Sequence, residues 1–463
     1  MMFQREIYIQ RRERLRGKIK SGLLLFLGND ESPMNYAANT YRFRQDSTFL
    51  YYFGLSEAGL AGIIDVDENR DILFGYEYSL EDIIWMGPQK SLQEKGDQAG
   101  VKITYEQNKL REFIQNAVKK GRTVHLLPPY REEHVSRIQV LFDADKEKVK
   151  QLISEELIRT IVDQRSVKSS EEIEQVERAH ALTYQMHVRA MQMAKPGLYE
   201  HEIAGVIEGL ALAQGGSLAF PSIVSIHGET LHNPFHGNVL NEGDMLLNDC
   251  GAETEMGYAS DITRTFPVSG KFSPRQKEIY EIVLKAQIEA INAIKPGTKY
   301  LEVHMLASKL IAQGLSELHL MRGDIEQAVQ DGAHALFFPH GLGHMLGLDV
   351  HDMENLGEDY VGYDEQTQRS EQFGLAYLRL AKTLQPGYVL TVEPGIYFIP
   401  QLINQWSDDK KFEQFINYDL IEKYKDLGGI RIEDDVLVTD TGNKVVGTPI
   451  PKLISEVEEV CQS

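Results

Sequence analysis

The pattern of apolar and polar positions divides the chain into two parts of different character. In residues 1–160, short apolar runs alternate with charged, helix-prone stretches. The runs 46–55 (DSTFLYYFGL), 61–67 (AGIIDVD) and 121–129 (GRTVHLLPP) predict strands. Strands that alternate with helices indicate an α/β layer structure for this part.

After residue 160 the pattern becomes that of a long helix. Ser169 is followed three residues later by Glu172, which predicts a capping box at the start of the helix. Apolar and small side chains then recur at helical spacing, at Ile173, Val176, His180, Thr183, His187 and Ala190. We therefore expect two domains, residues 1–165 and residues 166–463.

The second domain contains an internal repeat. The segments 194–207 and 294–307 both join helical stretches through Lys-Pro-Gly. The segments 240–251 (LNEGDMLLNDCG) and 384–395 (LQPGYVLTVEPG) align without a gap, which places Asp249 opposite Glu393. A third pair, 257–261 (GYASD) and 429–433 (GIRIE), places Asp261 opposite Glu433. Three pairs in the same order predict two related halves with carboxylates at equivalent strand ends.

Composition narrows the class of partner and compartment. The 463 residues carry a net charge of −21, which argues against nucleic acid or an anionic membrane as a main partner. Cys250 and Cys461 are the two cysteines, so a disulfide framework is excluded and a reducing compartment is favoured. The longest apolar run, 22–28, is too short to span a bilayer, and the N-terminus lacks the apolar core of a secretory signal. We expect a soluble, cytoplasmic protein.

Two glutamates lie in apolar strand contexts where an unpaired charge is costly. They are Glu393 in VLTVEPGIYF and Glu433 in GGIRIEDDVLV. Arg431 shares a strand face with Glu433, so a buried ion pair is an alternative explanation for that glutamate. Asp249, at the end of an apolar strand, could equally be a turn residue.

The segment 339–352 (PHGLGHMLGLDVHD) contains three histidines. His340 and His344 are four residues apart, but Gly341 and Gly343 favour a close-approach turn over a zinc-binding helix. One imidazole and several carboxylates form an oxygen-rich set that suits two divalent ions, manganese better than zinc. The reaction class this predicts is metal-assisted hydrolysis, with the set Asp249, Asp261, His344, Glu393 and Glu433.

Four motifs together resemble the pita-bread metallopeptidases, above all aminopeptidase P and prolidase, which cleave Xaa–Pro bonds. They are DITRTFPVSGKFS, HGLGHMLGLDVHD, VLTVEPGIYF and GGIRIEDDV. The resemblance implies an α/β N-terminal domain of the aminopeptidase P type. It also implies an α+β pita-bread (creatinase/aminopeptidase) catalytic domain with pseudo-twofold halves. Two divalent ions are implied as cofactors, with Mn²⁺ expected and Zn²⁺ or Co²⁺ as alternatives. The implied partners are a peptide with proline in second position and further copies of the chain, in a dimer or tetramer.

The resemblance also implies roles for individual residues. Asp249, Asp261, His344, Glu393 and Glu433 match the metal ligands, and Glu393 also matches the general base. Three histidines match residues that contact the substrate and assist catalysis, namely His232, His340 and His351. Arg431 matches a catalytic charge partner and Arg379 a prolidase arginine that receives the substrate carboxylate. Tyr397 matches a substrate-site tyrosine, with core packing as an equal alternative.

Three questions stay open at this stage. DITRTFPVSGKF favours an aminopeptidase, whereas Arg379 and the insertion 398–427 favour a dipeptidase. Pita-bread proteins also include metal-free hydrolases and non-catalytic binding proteins, against which the five ligand positions weigh. Asp249 and Asp261 are twelve residues apart, one more than is usual in the family. We expect the hairpin turn to absorb this residue, because a shift of register would turn Asp261 away from the site.

Overall fold

The computed structural model of the protein describes residues 2–463, which divide into two units. The first extends to Arg165 and includes the segment Glu354–Tyr360, and the second comprises Ser166–Met353 and Val361–Ser463. No pattern in the sequence indicated that Glu354–Tyr360 would join the first unit.

A five-stranded mixed sheet forms the centre of the first unit. Its buried positions are mainly leucine, isoleucine and phenylalanine, which gives the unit an apolar core. The two central pairings are antiparallel and the two outer ones parallel. In spatial order the strands are Ile103–Glu106, Arg70–Gly75, Ala61–Asp65, Leu23–Leu27 and Val124–His125. A separate hairpin pairs Pro33–Tyr36 with Asn39–Thr40.

Two of the three strands predicted in this unit are confirmed, since Ala61–Asp65 and Val124–His125 lie within the predicted runs. The prediction for 46–55 was wrong, because Ser47–Phe53 is a helix. The Asp46 side chain caps it by accepting a hydrogen bond from the backbone N–H of Phe49, and Gly54 ends it with a φ of 71°. A continuous apolar run does not by itself distinguish a buried strand from a buried helix.

The first unit also contains a set of helices. They are Arg5–Arg16, Ser47–Phe53, Leu80–Met86, Leu92–Ala99, Lys109–Lys119, Glu132–Phe142, Lys146–Gln151 and Glu155–Ser166, the last of which ends at the boundary between the units. A short 3₁₀ turn, Glu354–Leu356, lies in the returning segment. Across the described residues 2–463, no helix is long and apolar enough to cross a membrane.

The second unit begins with the predicted long helix, Ser170–Met193. The Glu172 carboxylate accepts a hydrogen bond from the backbone N–H of Ser169 over 3.1 Å, as a capping box requires. The other helices are Glu200–Ala213, Pro274–Ala293, Tyr300–Glu317, Ile325–Asp331, Pro400–Asp408, Tyr418–Ile421 and Ile454–Cys461. The short helix Glu358–Gly362 begins in the returning segment of the first unit and ends in the second unit. Short 3₁₀ turns occur at Ala333–Leu336, Leu375–Tyr377 and Glu422–Leu427.

The strands of the second unit reflect the sequence repeat. One three-stranded sheet has the order Ile262–Pro267, Met245–Cys250, Ile223–Ser225, and the other has the order Val389–Val392, Asp434–Val438, Asn443–Val445. Two further pairs are Ala252–Glu253 with Ser217–Leu218 and Gly395–Tyr397 with Gly429–Arg431. Each half thus places a helix pair beside a strand pair, in the same order along the chain.

The register of the two ladders corrects one detail of the repeat. In the first half Asp249 lies opposite Thr263, not Asp261. In the second half Val392 lies opposite Asp434, so continuing that ladder by one step brings Glu393 opposite Glu433. If Asp249 and Glu393 are equivalent, their strand partners Thr263 and Glu433 are equivalent as well. The sequence alignment had instead paired Glu433 with Asp261, which lies two residues before Thr263. Without gaps, short sequence repeats do not fix strand register.

Candidate functional site

A cavity of about 830 Å³ in the second unit brings the predicted site residues together. All of them except Tyr397 line it: His232, Asp249, Asp261, His340, His344, His351, Arg379, Glu393, Arg431 and Glu433. Much of the remaining lining is apolar and was not predicted from the sequence, including Phe220, Ile223, Leu231, Val350, Phe373, Tyr377, Ile399 and Leu402. Ile399 and Leu402 come from the insertion that the sequence had singled out.

The hairpin between Asp249 and Asp261 keeps both carboxylates at the cavity. The ladder continues without a shift from Cys250 opposite Ile262 to the bridge between Glu253 and Ala259. Since the register is unbroken, Asp249 and Asp261 stay on one face of the hairpin. The shift of register that would have turned Asp261 away from the site therefore does not occur.

Asp261, His344 and Glu433 form the tightest group of potential ligands. One side-chain donor atom from each lies within 4.8 Å of the others. The Nε2 atom of His344 is 3.4 Å from Asp261 Oδ2 and 3.7 Å from Glu393 Oε1. This spacing is wider than direct hydrogen bonding and leaves room for a cation between the groups.

Backbone contacts fix the orientation of the His344 ring. Its Nδ1 atom lies 3.1 Å from the carbonyl oxygen of Met345, which makes Nδ1 the protonated nitrogen. The lone pair of Nε2 consequently faces the carboxylates. An imidazole held in this way is the usual form of a metal-binding histidine.

Three carboxylate oxygens at the cavity lack a hydrogen-bond partner among the described residues 2–463. They are Asp249 Oδ1, Asp261 Oδ1 and Glu433 Oε1, all of them buried. A buried anionic oxygen that accepts no hydrogen bond is unfavourable unless a cation coordinates it. The residues present therefore fit a site for divalent metal ions with mostly oxygen ligands.

Crowding and burial make these acids hard to ionise without a cation. Burial, together with the charge of Asp249, raises the pKa of Asp261 well above its usual range. Burial and the neighbouring Asp261 and Glu393 do the same to the pKa of Glu433. Burial raises the pKa of Glu393 to about 7, although His344 and Arg431 oppose the shift. Without a cation beside it, the Glu393 carboxyl therefore holds its proton to a higher pH than an exposed glutamate does.

Arg431 connects the acidic groups to the tyrosine and histidine behind them. It donates hydrogen bonds from Nη2 to Asp249, from Nε to Thr263 Oγ1 over 3.0 Å and from Nη1 to Tyr397 Oη over 2.9 Å. Tyr397 is fully buried and lies 2.8 Å from His340 Nε2. The alternative of an Arg431–Glu433 ion pair is wrong, because the carboxylate that Arg431 contacts is that of Asp249.

Both ring nitrogens of His340 are engaged. Nδ1 lies 2.8 Å from Gly341 O and so carries the proton, while Nε2 accepts from the Tyr397 hydroxyl. Burial lowers the pKa of His340 to about 3, so the ring is neutral.

The other two predicted substrate histidines lie elsewhere at the cavity. The ring of His351 packs beside the ring of His344, with the two centroids 4.2 Å apart. His232 lies on the segment between Ser225 and Leu240 and is exposed at the cavity.

Three supporting residues were missed in the sequence. Thr263 donates to Glu433 Oε2 over 2.7 Å, and Asp435 accepts from the Ser260 hydroxyl and from the backbone N–H of Asp261. Thr391 Oγ1 accepts from the backbone N–H of His344. The available signal was strand alternation, since Thr263 and Asp435 each lie two residues after a predicted ligand.

Comparison with known proteins agrees with this geometry. Residues 174–440 match metallopeptidase family M24, and residues 8–126 match the aminopeptidase P N-terminal domain. The chain is 32% identical to an Xaa-Pro dipeptidase of Homo sapiens, over 96% of this chain and 90% of the relative. It is 33% identical to a probable Xaa-Pro aminopeptidase of Sordaria macrospora, over 96% of this chain and 92% of the relative.

Solved structures show the same fold along the whole chain. A variant of Escherichia coli aminopeptidase P superimposes with a TM-score of 0.82 and 29% identity, covering 100% of this chain and 99% of the other. A zinc-substituted form of that enzyme with bound product gives a TM-score of 0.81 and 28% identity, with the same coverage. The pita-bread fold predicted for the catalytic domain is confirmed. The chain belongs to metallopeptidase family M24, with an N-terminal domain of the aminopeptidase P type.

Proposed function

We propose that the protein hydrolyses the bond between the first residue and proline at the N-terminus of peptides. The observation that carries this proposal is the group of buried, unpartnered carboxylate oxygens beside His344 in a cavity large enough for a peptide. The similarity to an Xaa-Pro dipeptidase and a probable Xaa-Pro aminopeptidase over 96% of the chain supports the choice of bond. Release of the first residue from an Xaa-Pro peptide, measured with manganese present, tests it.

Two divalent ions, of which Mn²⁺ is the first candidate, are the proposed cofactors. Asp249, Asp261, His344, Glu393 and Glu433 would hold them, because together they offer carboxylate oxygens and one oriented imidazole nitrogen. When bound, such ions supply Lewis-acid activation of the scissile carbonyl and of a water nucleophile. Elemental analysis, with Zn²⁺ and Co²⁺ compared against Mn²⁺ for activity, identifies the metal.

In this proposal, one side chain transfers the proton and others orient the peptide and the metal ligands. Glu393 removes a proton from the attacking water and delivers it to the proline nitrogen as that nitrogen leaves. His232 and His351 contact the peptide from the cavity wall and stabilise charge on the carbonyl oxygen. A chain of hydrogen bonds holds Asp249 in position. It runs from Asp249 through Arg431 and Tyr397 to His340, which lines the cavity.

The length of the substrate separates two versions of this function. Arg379 lies at the same cavity and could receive the carboxylate of a dipeptide, which favours an Xaa-Pro dipeptidase. The cavity volume and the probable aminopeptidase among the relatives favour longer peptides. Our first choice is the aminopeptidase. Comparing kcat/KM for Xaa-Pro and for Xaa-Pro-Xaa-Xaa distinguishes the two, and Arg379→Met should affect the dipeptide alone.

The proposal also covers the domain boundaries, the oligomeric state and the cellular compartment of the protein. We place the metal site in a catalytic domain of residues 166–463 and expect residues 1–165 to serve assembly into a dimer or tetramer. Leu80, Ile84 and Trp85 are at least 72% exposed on a helix of the first unit, which suits an oligomer contact. Two buried, unpaired cysteines suit the cytoplasm. Sedimentation of the purified protein tests the assembly.

A non-catalytic binding protein on the same fold is the remote alternative. Such a protein has no need to retain ionisable ligands at the cavity, whereas this chain keeps all of the predicted ones there. A protein that binds no manganese, and that stays inactive after manganese is added, would favour this alternative.

A further inference from the structure

The Lys-Pro-Gly repeat places a buried polar side chain at the first position of each following helix. Glu200 begins the helix Glu200–Ala213 and Tyr300 begins the helix Tyr300–Glu317, and both are 0% exposed. Their backbones are held alike, since Glu200 N donates to Asn238 O and Tyr300 N donates to Lys382 O, each over 3.0 Å. The two residues are equivalent in the two halves but differ in chemistry.

In the second half this position supports the metal-ligand region. The Tyr300 hydroxyl donates to the carbonyl oxygen of Thr391 over 2.6 Å. Thr391 N in turn donates to His344 O over 3.0 Å, and Thr391 lies two residues before Glu393. A side chain at the repeat position therefore fixes the backbone between two predicted ligands.

In the first half Glu200 holds both ends of one loop. Its Oε1 atom accepts from the backbone N–H of Ile226 over 2.8 Å, and its Oε2 atom accepts from the backbone N–H of Asn238 over 3.1 Å. The Asn238 side-chain amide adds bonds of 3.1 and 2.9 Å to the two oxygens. Residues 226–238 contain turns but no helix or strand, so their shape depends on such anchors.

This loop carries His232 and other cavity residues. Leu231, His232, Asn233 and Pro234 all line the cavity. At its start, Gly228 packs so closely on the backbone of Gly429 that a Cβ atom on either glycine would overlap the other. Gly429 opens the strand that contains Arg431. Movement at the base of the loop would therefore displace His232 relative to the predicted metal ligands.

We propose that Glu200 is a positioning residue that sets His232 against the substrate in the cavity. The proposal rests on the function proposed above, because His232 is taken to contact the peptide. A carboxylate is needed, since both oxygens accept bonds from N–H groups. A glutamine at 200 would offer one acceptor oxygen and turn an NH₂ group towards a donor, leaving one N–H unpaired.

The kinetic test compares Glu200→Gln with Glu202→Gln. Glu202 lies in the first turn of the same helix, but it is exposed, and its carboxylate accepts a hydrogen bond from the backbone N–H of Tyr199 at the start of the helix rather than from the loop. Loss of a hydrogen bond to a charged group should lower kcat/KM roughly tenfold in Glu200→Gln, mainly through KM, with manganese content unchanged. Glu202→Gln should retain full kcat/KM.

A double variant separates positioning from general structural damage. If Glu200 acts through His232, then adding Glu200→Gln to His232→Ala should cost no further activity. Independent, multiplying losses in the double variant would overturn the proposal, as would equal kinetics for the Glu200 and Glu202 variants. Asn238→Ala removes the side-chain bonds to Glu200 alone and should give a smaller loss in the same direction.

Amide hydrogen exchange gives a readout that needs no catalysis. The N–H groups of Ile226 and Asn238 should exchange at least tenfold faster in Glu200→Gln than in the wild type, whereas those of the helix Ser170–Met193 should not change. Unchanged protection of Ile226 and Asn238 would contradict the proposal. If the wild type hydrolyses no Xaa-Pro peptide, the proposed function fails and the exchange result alone decides whether Glu200 orders the loop.

Discussion

The Nη1 atom of Arg431 lies 2.9 Å from the phenolic oxygen of Tyr397. Arg431 also donates to Asp249, and Tyr397 lies 2.8 Å from His340 Nε2. A buried chain of hydrogen bonds therefore runs from a predicted metal ligand to a histidine on the cavity wall. Tyr397 takes part in the site although it does not line the cavity.

This relationship predicts the effect of Tyr397→Phe. The change leaves Arg431 Nη1 and His340 Nε2 without their shared partner, so kcat/KM should fall roughly tenfold while the manganese content stays constant. Tyr280→Phe is the matched control, because the buried Tyr280 hydroxyl donates to Lys452 O, outside the cavity. Equal kcat/KM for the two variants would show that the chain of hydrogen bonds has no functional role.

Glu393→Gln removes the proposed proton carrier while keeping the shape of the side chain. We expect kcat to fall by a factor of roughly 10² to 10⁴, the usual contribution of general acid–base catalysis, and most of the bound metal to remain. Steady-state kinetics and elemental analysis of the same preparation measure both quantities. Turnover close to that of the wild type would remove Glu393 from the mechanism.

A buried histidine away from the ligands predicts sensitivity to acid. Burial lowers the pKa of His304 to about 3, with smaller effects from His334 and His340. Below about pH 6.5 the unfolded chain binds this proton and the folded chain does not, so the free energy of unfolding falls as the pH drops. His304→Leu should reduce that slope by up to about 1.4 kcal/mol per pH unit between pH 6 and 4.

Urea unfolding at several pH values measures this slope. The wild-type protein, unfolded at the same pH values, is the reference for the slope. A His304→Leu protein with an unchanged slope would mean that His304 does not bind its proton on unfolding in this range.

Two glycines should respond in opposite ways to alanine. A Cβ atom on Gly343 would overlap the carbonyl of Thr391 and lie 2.6 Å from the Tyr300 hydroxyl, whereas one on Gly209 would meet nothing within 4 Å. Gly343→Ala should cost about 3 kcal/mol or more in unfolding free energy. Gly209→Ala, inside a helix, should add about 0.5–1 kcal/mol. Chemical denaturation compares them, and a stable Gly343→Ala protein would contradict the packing described.

The sequence identified the charged residues that line the cavity better than it identified the residues behind them. Glu393 and Glu433 stand out because charged groups in apolar strands need a reason to be there. They line one cavity together with Asp249, Asp261 and His344, which the repeat, the histidine-rich segment and the family resemblance indicated. Thr263 and Asp435 do not stand out, since a threonine or a second aspartate in a strand has many ordinary explanations. Their role depends on which residues face each other across the strands. The sequence repeat misplaced that register by two residues, because it aligned Glu433 with Asp261 instead of Thr263.

The apolar pattern also failed where helix ends or tertiary contacts decide the structure. Residues 47–53 satisfy a strand pattern, yet the cap at Asp46 and the left-handed Gly54 make them a helix. The buried aromatic side chains Phe49, Tyr52 and Phe53 suit either element. Likewise, no sequence pattern singled out Glu200, because its two oxygens receive the N–H groups of Ile226 and Asn238 only in the folded chain.

The most direct test measures release of the first residue from Xaa-Pro-Xaa-Xaa by the purified protein as manganese is added. The same peptide with alanine in place of proline, and the Asp261→Asn protein, serve as controls. We predict that hydrolysis requires the metal, that the proline peptide is cleaved in preference, and that Asp261→Asn loses both bound metal and activity. Absence of hydrolysis of both Xaa-Pro and Xaa-Pro-Xaa-Xaa by the fully metal-loaded protein would contradict the proposed function.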